Sequence, residues 1–197
     1  MADGHDSFRR TVVLALASSP LLTLAGTESR DDNAERSGSR TLVAYFSRSG
    51  NIRVVAGLIQ RGLNADLFEI RPALPYPEDY LQTVEQARRE RDGGYAPGLE
   101  RTIKNLASYD RLFLGFPIWG ETLPPVIRAF LSAHDLNGKT IVPFTTHGGY
   151  GLGDSRAVLT RHAPKSRILE GFVMEGEQER RTMENVNEWL SDQQFAQ

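Results

Sequence analysis

Three short stretches of this chain concentrate small polar residues, glycines and aromatics in patterns that could hold a ligand. The first reads SRSGNIR, from Ser47 to Arg53. Ser47, Ser49 and Asn51 carry short polar side chains, Gly50 lets the backbone come close, and an apolar pattern of helical period begins at once. A helix start leaves backbone N–H groups unpaired and carries partial positive charge, so hydroxyls and amides together can bind a phosphate dianion without a lysine. The same residues could instead cap the helix, for which Ser49 or Asn51 alone suffices. In the second stretch, GFPIWGETLPP, the run Pro117, Ile118, Trp119, Gly120 is stiff, then aromatic, then flexible. An indole there can stack on a flat ring or anchor its loop. The third, THGGYGLGDS, sets His147 before Gly148, Gly149, Tyr150, Gly151 and Gly153. Backbone without Cβ atoms can approach a ligand edge and donate N–H groups to it, with Tyr150 as a second aromatic. His147 could titrate near neutral pH or make a structural hydrogen bond.

Other chemistries that use such loops fail on residue type. A dinucleotide fingerprint of three spaced glycines does not follow the first apolar run. In NGKT, 137–140, Ala133 stands where a nucleotide P-loop needs its first glycine, and an apolar run of strand type follows instead of a helix. A phosphate-accepting receiver domain would end its first and third strands in acidic residues, whereas these ends read YFSRSG and GFPIWG. Around Ser155, GDSRA lacks the closing glycine of a nucleophile elbow. The chain has no cysteine, which excludes disulfides, thiolate nucleophiles, iron–sulfur clusters and cysteine-type zinc. Its histidines, at 5, 134, 147 and 162, show no metal-ligand spacing, so no metal is expected. With 23 basic and 25 acidic residues spread along the sequence, there is no electrostatic footprint for nucleic acid.

The elements that must position these stretches alternate along the chain. TLVAYF (41–46), ADLFEI (65–70), RLFLGF (111–116), KTIVPFTT (139–146) and SRILEGFVM (166–174) are short apolar runs rich in β-branched and aromatic residues, and predict five strands. Between them NIRVVAGLIQRGL, PEDYLQTVEQARRE, LERTIKNLASY, PPVIRAFLSAHDL and DSRAVLTRHAP, with QERRTMENVNEWLSDQ at the end, carry apolar residues at intervals of three and four and predict helices. Such alternation implies a parallel sheet covered on both faces by right-handed crossovers, with functional loops at the carboxyl ends of the strands. At 197 residues the chain has room for one good core.

The first 26 residues read as an export signal and 27–39 as a polar linker, which leaves 40–197 as the folded domain. Arg9 and Arg10 precede TVVLALASSPLLTLAG, an apolar run too short and too broken by Pro20 for a membrane span. The paired arginines resemble a twin-arginine signal, although Phe8 replaces the usual polar residue and Asp3 and Asp6 dilute the positive region. A periplasmic location is the expectation, with a cytoplasmic one as the alternative.

From Thr41 to about Phe172 the order AYFSRSGNI, PYPEDY, GFPIWG, PPVIRAFL and THGGYGLG resembles the short bacterial branch of the flavodoxin-like FMN-binding family. The resemblance implies a three-layer α/β sandwich around a five-stranded parallel sheet of order 2-1-3-4-5, with FMN as cofactor. It assigns the FMN phosphate to Ser47, Arg48, Ser49, Gly50, Asn51, Ile52 and Arg53. The isoalloxazine is assigned to Pro117, Ile118, Trp119 and Gly120, with His147, Gly148, Gly149, Tyr150 and Gly151 at the ring edge. Redox then occurs at the flavin with no catalytic side chain, and Gly120 is the peptide able to turn its carbonyl toward the flavin N5. The family segment PALPYPEDY, 72–80, has no role that the sequence reveals. Ile52 stands where the family has threonine, which removes one phosphate-site hydroxyl worth on the order of 1 kcal/mol. Tyr150 replaces a small residue, and Trp119 is the only indole in its loop. The expected role is electron transfer through bound FMN to a redox partner protein. The alternatives are an NAD(P)H-dependent quinone reductase, or a binding module that has lost FMN. No nucleic acid and no stable membrane span after signal removal are expected.

Overall fold

The computed structural model describes residues 40–149, 151–176 and 182–193. Six strands, β1 (Thr41–Tyr45), β2 (Asp66–Glu69), β3 (Arg111–Pro117), β4 (Thr140–His147), β5 (Arg167–Ile168) and β6 (Phe172–Glu175), form one parallel sheet. The order is β2-β1-β3-β4-β5, with β6 also on β4. Five α-helices lie between and after them: α1 (Asn51–Leu63), α2 (Tyr80–Asp92), α3 (Pro125–Ala133), α4 (Ser155–His162) and α5 (Thr182–Asp192). This is the flavodoxin-like α/β architecture with the expected strand order.

Successive residues of the inner strands feed opposite cores, as the twofold period of a strand requires. Leu42, Ala44 and Phe46 join Leu112, Leu114 and Phe116 in a core closed by Val126, Ile127 and Phe130 of α3 and by Val158 and Leu159 of α4. Val43, Tyr45 and Phe113 pack on the other face against Ile52, Val55, Ala56 and Ile59 of α1 and Val186 and Leu190 of α5. Burial on both faces explains why these strands read as continuous apolar runs. α1 ends on Asn64 in the left-handed conformation (φ 47°), which the short polar side chain tolerates.

Two expectations fail for identifiable reasons. The fifth strand is split into β5 and β6. Leu169 N–H donates to the Ile141 carbonyl, so the backbone of alternate β4 residues faces this edge. Pro143, two positions on, has no N–H to offer there. A Cβ on Gly171 would meet the Pro143 carbonyl oxygen at 1.9 Å, so the chain passes this point only as glycine before pairing resumes. The second failure is LERTIKNLASY, which forms only a 3₁₀ turn at Leu106–Ser108. Its backbone is occupied elsewhere: Pro72 bridges Leu99, Glu100 N–H donates to the Arg71 carbonyl, and Ile103 N–H donates to His134 Nε2 at 2.9 Å.

Candidate functional site

Tyr45 ends β1 and the chain turns into α1 through Phe46–Gly50. Gly50 is the N-cap residue, with φ 100° and no side-chain cap on the helix. Ser47 Oγ accepts the Gly50 N–H at 3.1 Å, which closes the loop on itself. The first bond into the helix is Val54 N–H to the Gly50 carbonyl, so the N–H groups of Asn51, Ile52 and Arg53 have no acceptor in the helix. Neither Ser49 nor Asn51 caps them. Ser49 is exposed with no hydrogen bond among the described residues, while Asn51 Nδ2 donates to the Gly176 carbonyl at 2.7 Å and ties the loop to the end of β6. An uncapped helix start beside two hydroxyls is a donor set that fits a phosphate.

The remaining residues of this stretch contribute differently from what their side chains imply. Ile52 is 1% exposed and packs in the α1 core, so it offers the loop only its backbone N–H. The hydroxyl that threonine would carry is exchanged here for core packing. Arg53 reaches Glu69 at the end of β2 at 2.6 Å, and Arg71 binds the other oxygen of that carboxylate at 2.6 Å. Burial pushes the Glu69 carboxyl up, but the hydrogen bonds from Arg53 and Arg71 outweigh this and hold it below the usual carboxylate range. Arg48 turns away from the helix start and donates to the Glu78 carbonyl at 2.6 Å, with its guanidinium 5.8 Å from the Tyr80 ring centroid.

Trp119 to Thr122 form a tight turn. Trp119 N–H donates to the Thr122 carbonyl at 2.8 Å, and both central residues have positive φ, 58° at Gly120 and 63° at Glu121. Trp119 is held edge-on by two rings, Phe46 at 5.4 Å and Tyr76 at 5.0 Å, and packs on the α3 core. The indole therefore anchors its loop as well as lining the adjacent cavity. The Gly120 carbonyl accepts a long hydrogen bond, 3.5 Å, from Arg91 Nη1 on α2. In the third stretch Gly149 N–H donates to His147 Nδ1 at 3.0 Å, so the histidine shapes its own loop. Gly149 (φ 106°) and Gly151 (φ 66°) supply turns, and a Cβ on Gly148 or Gly151 would meet no atom within 4 Å. Gly153 differs: a Cβ there would lie 1.8 Å from the Glu121 carbonyl oxygen, so this glycine packs one loop on the other and leaves no role toward a ligand. Tyr150 lies outside the described residues.

A family profile described as Flavodoxin matches residues 40–193. The chain belongs to the flavodoxin family. This flavodoxin-family chain is 32% identical to a candidate flavoprotein of Bacteroides eggerthii of known structure, over 79% of its own length and 98% of that chain, with a TM-score of 0.68. A similar protein of Bacteroides uniformis is 30% identical over 78% and 99% of the two chains, with a TM-score of 0.70. A flavoprotein of Lactobacillus acidophilus solved in complex with FMN shares the fold, with a TM-score of 0.63 at 19% identity over 75% and 99% of the two chains. Among curated proteins, an FMN-dependent NADH:quinone oxidoreductase of Staphylococcus haemolyticus is 27% identical over 112 residues, 57% of this chain. The flavodoxin-family chain spans 50% of that relative's length.

The fold also brings in residues that the loops alone do not reveal. A cavity of about 500 Å³ lies between the Trp119 turn, the His147–Gly148 backbone and one stripe of α2. That stripe is Tyr80, Val84, Ala87, Arg88 and Arg91, spaced as one helix face. The only hint in the sequence is the PYPEDY segment, whose role is now visible. Asp79 caps α2 by accepting from Gln82 N–H, the Pro77 carbonyl accepts from Thr83, and Tyr76 braces Trp119. Tyr76 also donates its phenol to the buried Glu90 carboxylate at 2.8 Å. Burial, then that hydrogen bond, pushes the Tyr76 phenol far above the ordinary tyrosine range. Among the described residues no group of acidic or histidine side chains could hold a metal, and no helix is long and apolar enough to cross a membrane.

Proposed function

We propose that this flavodoxin-family chain binds FMN and works as a redox protein. The observation that carries the reading is the uncapped start of α1, with Ser47, Ser49 and free amides, at the same sheet end as the Trp119 turn and the glycines at 148–151. When bound, FMN supplies one- and two-electron transfer. The chain's part is to hold and tune it. Ser49 and the N–H groups of Asn51, Ile52 and Arg53 bind the phosphate, and the Trp119 turn with Gly148, Gly149 and Gly151 takes the ring. Gly120 presents its carbonyl near the ring loop, where Arg91 holds it.

The likeness to a curated oxidoreductase favours an enzyme over a carrier. The cavity beside α2 is lined by Ile118, Trp119, Gly120, His147 and Gly148, the loops given to the ring, so it offers room for the ring itself. An FMN-dependent NADH:quinone oxidoreductase activity fits the likeness to the staphylococcal enzyme. We propose NADH and a quinone as its partners. The test is the visible spectrum of the purified protein, followed by cofactor release and then NADH oxidation with a quinone acceptor. About one FMN per chain with quinone-dependent turnover is the expected result. A colourless protein that takes up no added FMN overturns the reading and favours a binding module. Export of the chain through Arg9 and Arg10 belongs to the same proposal. It is abandoned if a fusion of residues 1–39 to a reporter still crosses the membrane with both arginines changed to lysine.

A further inference from the structure

Tyr76 stands between the ring cavity and a buried carboxylate that the redox reading leaves without a role. Trp119 lines that cavity and is half-buried, and its ring neighbours among the described residues are Phe46 and Tyr76. Of the two only Tyr76 carries a phenol. Its ring meets the indole edge-on with centroids 5.0 Å apart, so the two π systems are in contact. The phenol donates to Glu90 Oε2 at 2.8 Å, and Gln86 Nε2 donates to Oε1 at 2.9 Å. Glu90 is 8% exposed and makes no ion pair with any described residue, so its carboxylate oxygens meet two neutral donors. Burial and the hydrogen bond to Glu90 keep the phenol protonated at neutral pH. An indole that has lost one electron can take one from a phenol in contact with it, provided that the phenol proton has somewhere to go. A carboxylate already at hydrogen-bond distance is such a place.

We infer that Trp119, Tyr76 and Glu90 form a relay that repairs the indole after one-electron oxidation at the ring cavity. An oxygen-derived radical entering the cavity takes one electron and the ring N–H proton from Trp119. Tyr76 returns one electron to the indole, which recovers its proton from solvent, while the phenol O–H bond breaks and a new O–H bond forms on Glu90 Oε2. The oxidising equivalent is left as a neutral phenoxyl radical on Tyr76, which is not among the residues lining the cavity. The inference goes beyond the redox reading, since the relay itself needs no bound FMN.

The test is pulse radiolysis of the full chain with azide radicals, which oxidise indoles in preference to phenols, with the indolyl and phenoxyl absorptions followed in time. Part of the indolyl signal is expected to convert to phenoxyl at a first-order rate independent of protein concentration. This phase should vanish in Trp119→Phe, which leaves Trp189 on the other face of the sheet. Tyr76→Phe keeps the edge-on ring and removes the phenol, and Glu90→Gln keeps the shape and removes the proton acceptor. Each should slow the phase by about tenfold, and heavy water should slow it in the native chain. A packing role alone would move none of these rates. Absence of the phase, its persistence in Trp119→Phe, or a rate unchanged in Tyr76→Phe, in Glu90→Gln or in heavy water overturns the inference. Urea midpoints check that the variants fold, and the heavy-water comparison needs no variant. Failure to bind FMN defeats the redox reading on its own, whereas the radical conversion, measured without cofactor or turnover, defeats or supports the relay separately.

Discussion

Tyr76 joins the packing of the ring loop to a buried carboxylate, and two substitutions separate these roles. Glu90 is 8% exposed, and its carboxylate accepts from the Tyr76 phenol at 2.8 Å and from Gln86 Nε2 at 2.9 Å. Tyr76→Phe keeps the ring and removes one of those donors. A hydrogen bond to a charged group is worth about 1.5–3 kcal/mol, and because Gln86 stays, the lower part of that range, about 1.5–2 kcal/mol, is expected from urea unfolding. Tyr76→Ala also loses the edge-on pair with Trp119 at 5.0 Å and the tilted pair with Phe46 at 5.9 Å. Each aromatic pair contributes about 0.5–1.5 kcal/mol beyond burial, so a total loss of about 3–5 kcal/mol is expected. FMN affinity should separate the two further. The phenylalanine still braces Trp119, while the alanine leaves the flavin to order the indole at about 0.5–1.5 kcal/mol, up to tenfold in Kd. The phenol's raised pKa adds a pH signature. Its stabilisation is complete below the unfolded tyrosine value of about 10 and is lost as pH rises beyond it, and Tyr76→Phe should abolish that alkaline loss. If Tyr76→Phe costs less than about 0.5 kcal/mol, or equals Tyr76→Ala, the phenol does not hold Glu90 and the reasoning fails.

Other substitutions probe the site and its support. Ser49→Ala should weaken FMN binding by about fivefold and leave the urea midpoint within about 0.5 kcal/mol, because the exposed hydroxyl bonds to no described residue; equal Kd values would remove Ser49 from the phosphate site. Gly115→Ala should cost about 2–3 kcal/mol in urea unfolding, since its Cβ would lie 2.2 Å from the Phe144 ring, which is fully buried. The depressed Glu69 carboxyl stabilises the fold fully above the unfolded value of about 4.3, and this is lost as pH falls through the lower folded value. Glu69→Gln should therefore flatten the acid limb of a stability–pH curve, and an unchanged limb would mean that Arg53 and Arg71 do not hold that carboxylate.

Much of this molecule was determined along the chain, where residue type and period act locally. α1 runs over the whole of NIRVVAGLIQRGL because its apolar residues fall on one face and Gly50 and Asn64 bound it in left-handed conformations. The inner strands follow from apolar runs separated by helical ones, their 2-1-3-4-5 order was implied only by the family resemblance, and the three ligand-type loops stand at the strand ends where a parallel sheet must put them. Tertiary structure decided what depends on partners distant in sequence. It kept 99–105 out of a helix, because Arg71 and His134 take backbone groups that a helix would need. The edge strand broke where Pro143 has no N–H to give, a fact about the neighbouring strand and not about residues 169–171. Ile52 turned into the core, Arg53 went to Glu69, and His147 went to its own loop. The cavity wall on α2 was beyond any local pattern, since Arg88 and Arg91 meet the Trp119 turn only when the crossover between β2 and β3 packs across the end of the sheet. A side chain's type is fixed by the sequence, but its partner is chosen by which surfaces the sheet brings together.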